Sequence, residues 1–423
     1  MKILFVEASS GHVVGGSLTG MVQLIRGLDP ARYQASVVLY EDKSVVRELR
    51  DCGVSVHLFN KRRLPREHRL QDNSVYLRVK VRSSVGQTLR VLRAAINFVF
   101  ETVPTAVRLL AILRREAPDI VHVCNGYRAN LDAILAARLY GVPCVVHSKG
   151  FDKHSFVERR FARGVAASIF MTKAIEEHCH SQGIRPPAGH VIYDGLDLGS
   201  FRAVRSRAEV RRELGIDEDV WVAGVVGNIQ EWKGQLVLLE AFARLADSHP
   251  RSLALIVGGV HRSGSDYYER LRTFIDEEGL DERVLFTGPR EDVADLMGCM
   301  DVVVHCSVRA EPFGRVIIEG MSVGRPVIAT RAGGVPEFVR DGYNGLLVDP
   351  GNVAELVTAL RRLFDDAQLR RELSRNSRRT AADFSIEKHS ARVATVYDEV
   401  ARRYHVDRGT EGESPDRSAC PRR

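Results

Sequence analysis

The sequence has no apolar run approaching the 18 residues that a membrane-spanning helix needs. Its first residues, MKILFVEASSG, carry one Lys and then a four-residue apolar stretch, too short for the apolar core of a secretory signal. That stretch reads instead as a buried first strand. Cysteine is sparse and scattered, with seven residues at 52, 124, 144, 179, 299, 306 and 420. The number is odd and no Cys-x-x-Cys pair occurs. This argues against a disulfide framework and for a reducing, cytoplasmic setting. There is no short-period repeat, which argues against a solenoid. There is also no recognisable nucleic-acid-binding module, so no nucleic-acid partner is expected.

The 423 residues present are 44% apolar, enough for ordinary packed cores in two or three domains. The net charge of +7 is unevenly spread. Between Lys61 and Arg115 stand thirteen Lys and Arg residues against Glu67, Asp72 and Glu101. Apolar residues interleave with them over 85–113. A basic amphipathic segment of this kind can attract an anionic membrane surface, at about 1 kcal/mol per basic residue. The competing reading is a solvated helix face covering its own domain.

Strands alternating with helices predict α/β architecture with parallel sheets. In the first half the pattern predicts strands at 3–7, 35–40, 54–59, 120–124, 144–148, 169–172 and 190–193, with helices at 17–28 and 130–140. In the second half it predicts strands at 220–227, 253–258, 284–287, 301–305 and 327–330. Helices are expected there at 209–214, 235–248, 266–278, 292–299, 315–323 and 353–364. Residues 367–403 read as helical. The polar stretch after about residue 406 reads as disordered.

The most informative stretch is EPFGRVIIEGMSVGRPVIATRAGGVPEFV. It places Glu311 on a loop after a strand and Glu319 inside the helix that follows. Loops at the carboxyl ends of parallel strands are where open α/β sheets bind ligands. A buried helical carboxylate is costly unless something pairs with it. Sugar and ribose hydroxyls suit it, because a carboxylate accepts from two neighbouring donors at once. A second candidate is GVVGNIQEWKG, where a buried strand runs into a helix start. Such a junction offers backbone N–H groups to phosphate, and Lys233 adds a charge. Gly15 and Gly16, after the first strand, let a ligand approach the backbone closely. His122, Asn125 and His147 to Gly150 fall at the ends of first-half strands, where His122 and Lys149 are candidate sugar or acceptor contacts. Two metal-like strings read as ordinary surface. His178 and His180 are two apart and do not share a helix face, and Asp217-Glu218-Asp219 sits in a charged turn.

Glu311, Glu319 and the Gly333-Gly334-Val335-Pro336-Glu337 turn resemble the donor-site signature of retaining glycosyltransferases with the GT-B fold, family 4, the glycosyl transferases group 1. The resemblance extends over roughly residues 1–400. It implies two Rossmann-like domains with an interdomain cleft. The first, 1–195, would take the acceptor and carry a basic insertion at 61–115. The second, 196–384, would bind a nucleotide-diphosphate-sugar donor. A helix at 385–405 would cross back, leaving a tail at 406–423. By the same resemblance Glu311 orients the donor sugar, Glu319 holds the ribose hydroxyls, and amides near Phe313 and Gly314 assist. Lys233 and the Gly15–Gly16 loop stabilise the leaving diphosphate. No metal or other cofactor is expected. The family's clamp has Arg where this chain has Asn228, which donates a hydrogen bond but carries no charge. Arg315 or Arg331 is the candidate replacement. The acceptor would be a sugar or a lipid-linked glycan of the cell envelope, met at the inner face of the membrane. The rival reading is a non-catalytic sugar-nucleotide binder or membrane scaffold, and the missing Arg is its support.

Overall fold

The structure is a computed structural model that describes residues 1–8, 16–59, 96–261 and 264–409. Gly15, residues 61–95 of the basic insertion and residues 410–423 of the tail lie outside the described residues. The described chain divides into two compact units. One comprises 1–170, 177–192 and 390–423; the other comprises 171–176 and 193–389.

The first unit holds a seven-stranded sheet. Its strands are β1 (Lys2–Glu7), β2 (Gln34–Leu39), β3 (Ser55–Leu58), β4 (Ile120–Val123), β5 (Cys144–Ser148), β6 (Ala167–Phe170) and β7 (Gly189–Val191). All pair in parallel, in the order β3-β2-β1-β4-β5-β6-β7. The strands are short and apolar because helices cover both faces of a parallel sheet. Ile3, Phe5, Val37, Leu39, Ile120, Val145 and Ile169 form the core, joined by Val393, Val396, Tyr397 and Val400 of the last helix. That helix spans Ile386–Gly409, so 406–409 are helical where the sequence suggested a disordered tail. Asp398 anchors it, accepting from Arg32 and from the Tyr33 hydroxyl, each at 2.9 Å.

The second unit holds β8 (Trp221–Val226), β9 (Ser252–Val257), β10 (Val284–Gly288), β11 (Val302–His305), β12 (Val327–Thr330) and β13 (Leu346–Val348). They too are all parallel, in the order β10-β9-β8-β11-β12-β13. Both units are therefore Rossmann-like, as expected. The direction of winding reverses between β8 and β11. The crevice beyond the carboxyl ends of such a pair is where doubly wound sheets bind ligands. Helix Gln235–Leu245 follows β8, and helix Arg315–Ser322 follows β11.

The predicted helix at 367–403 is two helices. Ala367–Ala381 ends in a tight turn, Ala382–Phe384, before Ile386 restarts the helix. The backbone leaves the helix because Leu196 takes its hydrogen bonds. Leu196 N–H donates to Phe384 O at 2.8 Å, and Ile386 N–H donates to Leu196 O at 3.0 Å.

Candidate active site

The second unit gathers the sequence's best candidates at its winding reversal. Lys233 ends a short turn after β8, and Glu311 lies in the loop after β11. Gly234 closes the approach of these two loops. It adopts φ of +71°, and a Cβ there would meet the Cys306 carbonyl oxygen at 2.0 Å. Only glycine tolerates both conditions. Gly333 does the same on the other flank, at φ of +66°, where a Cβ would lie 2.1 Å from Glu311 O. Gly334 N–H donates to that same Glu311 oxygen at 2.9 Å. The Gly333-Gly334 turn thus clamps the backbone that carries Glu311.

Glu311 is buried, and its contacts are asymmetric. Lys233 Nζ donates to Oε2 at 2.8 Å, His305 Nε2 lies 3.3 Å from Oε2, and Ser307 Oγ donates to Oε2 at 3.3 Å. Among the described residues none bonds Oε1, and Oε1 is not among the sealed-off buried polar atoms. Burial alone would push this carboxyl up. The hydrogen bond from His305 and the charge of Lys233 outweigh it and hold the carboxyl down at about 2. Lys233 is itself placed by Trp232, whose ring centroid lies 4.0 Å from Nζ.

Glu319 sits one face along helix Arg315–Ser322, its carboxylate 3.6 Å from Arg315. Burial raises its pKa above the ordinary carboxylate value, and the charges of Arg315 and Lys233 only partly offset this. The sign follows directly. A carboxyl raised on folding costs stability when ionised, and the cost is relieved as pH falls through its folded value. Glu319→Gln is expected to raise the midpoint of thermal unfolding of the ligand-free protein at pH 7 by roughly 2 °C or more. The gain should shrink as pH is lowered. Scanning calorimetry at pH 7 and pH 5 checks it.

Beside these groups stand the Phe313 and Gly314 amides at the start of helix Arg315–Ser322. Among the described residues neither is donated to a protein acceptor. The Phe313 side chain is buried among aromatic rings. It packs with Tyr193, Phe338 and Phe384 at centroid distances of 6.2, 5.2 and 5.8 Å. Arg331 is drawn away from the site, donating to Leu347 O at 3.0 Å and lying 3.8 Å from Asp349. Arg315, beside Glu319, is the nearer cation. Asn228 is exposed after β8, and its carbonyl accepts from Gln235 Nε2 at 3.1 Å. Glu337, at the end of the Gly-Gly turn, accepts from the amides of Lys173 at 2.9 Å and Ala174 at 2.8 Å.

In the first unit the outcome is mixed. Gly16 opens helix Gly16–Gly27, whose next residue, Ser17, donates to Cys124 O at 3.3 Å. Lys149 follows β5 and is half-buried. His122 corrects the sequence reading. It lies within β4, fully buried, with Nδ1 2.6 Å from the Tyr397 hydroxyl and its ring against Phe5 and His147. It is a core residue that holds the last helix, because its side chain points into the packing rather than beyond the strand end. The two metal-like strings remain apart from any shared centre. His178 Nε2 is 2.8 Å from Asp152 O, His180 packs on Phe170, and Asp219 pairs with Arg251.

Sequence reasoning missed His305, Ser307 and Thr330. One signal was available for the first. His305 is the only polar residue of β11, VVVH, and stands six residues before Glu311.

Known protein families match both halves of the chain. A model described as "Glycosyl transferase 4-like domain" matches residues 15–195, and one described as "Glycosyl transferases group 1" matches residues 206–380. The D-inositol 3-phosphate glycosyltransferase of Streptomyces bingchenggensis is 34% identical over 243 residues, 56% of this chain and 53% of that protein. The enzyme of the same name from Corynebacterium jeikeium is 37% identical over 216 residues, 50% of this chain and 51% of that protein. The chain thus spans about half the length of the curated relatives it matches. The crystal structure of Anabaena HepE in complex with UDP has a TM-score of 0.75 at 25% identity, covering 96% of this chain and all 100% of that one. Sucrose-phosphate synthase from Thermosynechococcus elongatus shares the fold, with a TM-score of 0.74 at 19% identity over 95% of this chain and 100% of that one. With both halves matched in order and the Glu311–Glu319 signature set at the winding reversal of the second sheet, the chain belongs to the glycosyl transferases group 1, within the GT-B glycosyltransferases.

Proposed function

We propose that this protein transfers a sugar, with retention of anomeric configuration, from a nucleoside-diphosphate sugar to a hydroxyl of a glycan or glycolipid acceptor. The observation that carries the reading is the meeting of Lys233 and Glu311 at 2.8 Å beside Glu319, at the carboxyl ends of β8 and β11. Each group has a chemical task there. Glu319 accepts from the two ribose hydroxyls, which meet its unfavourable burial with paired donors. Glu311 presents Oε1 to a donor-sugar hydroxyl and sets its negative charge near the anomeric carbon. Lys233 transfers its hydrogen bond to the departing diphosphate, and the amides at the start of helix Arg315–Ser322 add positive dipole. In this reading no metal is required, because these groups supply the compensating charge. Arg315 is the cation we assign to the position that Asn228 leaves uncharged.

UDP is the nucleotide we favour, since the related HepE structure holds UDP. A lipid-linked acceptor at an anionic membrane surface is supported by exposed Val99, Phe100 and Val107 beside Arg108, Arg114 and Arg115. Among the described residues no helix is long and apolar enough to cross a membrane.

The test is thermal unfolding in the presence of UDP, GDP, ADP, dTDP and CMP. A ligand at 100 times its dissociation constant adds about 2.7 kcal/mol. For a protein of this size that is a shift of several degrees. A rise with UDP is expected, and it should vanish in Glu319→Ala. An unchanged midpoint with every nucleotide diphosphate would overturn the donor assignment.

A further inference from the structure

We propose that His305 is a positioning residue of the transfer reaction, holding Oε2 of Glu311 so that Oε1 stays directed at the donor sugar once Lys233 turns to the diphosphate. The inference rests on the assignment of Glu311 and Lys233 to the donor site. Three groups converge on Oε2, from Lys233, His305 and Ser307. An ammonium has three N–H donors, so Lys233 can reach the leaving diphosphate and Glu311 together, but its charge is then divided between two anions and its hold on Oε2 weakens. His305 and Ser307 then carry more of that hold.

His305 is built for that duty. It is 4% exposed at the end of β11, in the core of the site rather than at its mouth. Thr330, at the end of the neighbouring β12, brings Oγ1 to 3.1 Å and its amide to 3.5 Å from Nδ1. An amide can only donate, so Nδ1 is the acceptor and the network assigns the ring proton to Nε2. That N–H is shared between Ser307 Oγ at 3.1 Å and Glu311 Oε2 at 3.3 Å. Ser307 passes its own proton on to Oε2. Thr330 thus holds the ring through Nδ1, and His305 and Ser307 turn their donors toward Oε2 of Glu311. A second ring of partners that fixes a reacting group's rotamer is what keeps a site in productive geometry. The parallel pairing of β11 with β12, His305 opposite Ala329, sets Thr330 within reach. No local motif would place it there.

The test compares His305→Leu, which removes the donor, with His305→Gln, whose side-chain amide can stand where Nε2 stood. UDP-glucose is the donor probe and released UDP the reading. His305→Leu should lower kcat roughly 30-fold, the equivalent of one charged hydrogen bond. KM for UDP-glucose should stay within about 3-fold, because the nucleotide is held elsewhere. His305→Gln should recover most of kcat. The pH profile should also move: with its donor gone, the Glu311 carboxyl titrates higher, and an acid limb absent from the wild type should appear in His305→Leu. Wild-type kcat and an unmoved acid limb in His305→Leu would overturn the proposal. Crystals of wild type and His305→Leu grown with UDP read the same point without turnover. The carboxylate should turn in the variant, and an unmoved Glu311 would refute the role. If the Leu variant gives no UDP-induced thermal shift, His305→Asn replaces it, since Asn reaches only the Nδ1 position. Asn and Gln variants both equal to wild type would again refute it. Glu311→Gln separates the two readings. Full activity in Glu311→Gln removes the donor-site assignment itself. An inactive Glu311→Gln beside a fully active His305→Leu removes only the role of His305.

Discussion

Glu311→Gln should lower the transfer rate by about 10³-fold, with nucleotide binding largely retained. The substitution keeps the shape of the side chain and removes its charge. Shape alone therefore cannot account for a loss. In the proposed reaction the charge matters because positive charge develops at the anomeric carbon as the diphosphate departs, and a buried carboxylate is a fixed counter-charge that needs no solvent reorganisation. The variant should also be less stable at pH 7. A carboxyl held at about 2 on folding, against an ordinary value of 4.5, contributes stability that is fully present above the ordinary value. That stability is lost as pH falls from about 4.5 toward about 2. Its size is on the order of 3 kcal/mol, from a depression of between two and three pH units. Activity must therefore be read well below the variant's unfolding midpoint, with a UDP-induced thermal shift as proof of an intact fold. Steady-state release of UDP measures the rate. Wild-type turnover in Glu311→Gln would remove Glu311 from the reaction.

Lys233→Ala should cost about 2–3 kcal/mol of transition-state stabilisation, roughly 30- to 150-fold in kcat/KM. Most of it should fall on kcat, because the lysine's bond to the diphosphate strengthens as charge accumulates on the leaving group. The pairing of Lys233 with Glu311 adds a second effect. Without Lys233 the buried Glu311 carboxylate keeps only His305 and Ser307, so its acidity should weaken and the depression described above should shrink. The double variant Lys233→Ala, Glu311→Gln should then lose much less than the product of the two single losses, since both changes break one 2.8 Å ion pair. A full multiplicative loss would show that the two residues act independently. Lys233→Arg should recover part of the rate by keeping the charge.

These two residues also show what local sequence can place. Glu311 and Lys233 were legible because each sits in a short string whose neighbours prescribe the local conformation. Pro312-Phe313-Gly314 makes the loop, the apolar spacing of 316–321 makes the helix, and Gly234 closes the turn after Lys233. The strands were legible for the same reason, since alternation of apolar runs and helical periods is written in adjacent residues. Thus 144–148 and 327–330 were read with the ends the structure gives them. β13 escaped, being three residues long with no pattern to detect. So did helices Val45–Asp51, Phe156–Ala162 and Lys173–Ser181.

The sequence alone determined the fold class, the family, and the two loops that carry Glu311 and Lys233. All of these depend on interactions between residues close along the chain. Only the tertiary structure decided how those groups are shared. It set Lys233 against Glu311 across 78 residues, brought Thr330 to the ring of His305, buried His122 against the last helix, and turned Arg331 toward β13. The physical reason is strand order. A sequence states which segments become strands, but the sheet decides that β8 lies beside β11 and β11 beside β12. Side chains at the ends of neighbouring strands share one low-dielectric space, where Lys233, His305 and Ser307 converge on one oxygen of Glu311 and leave the other open.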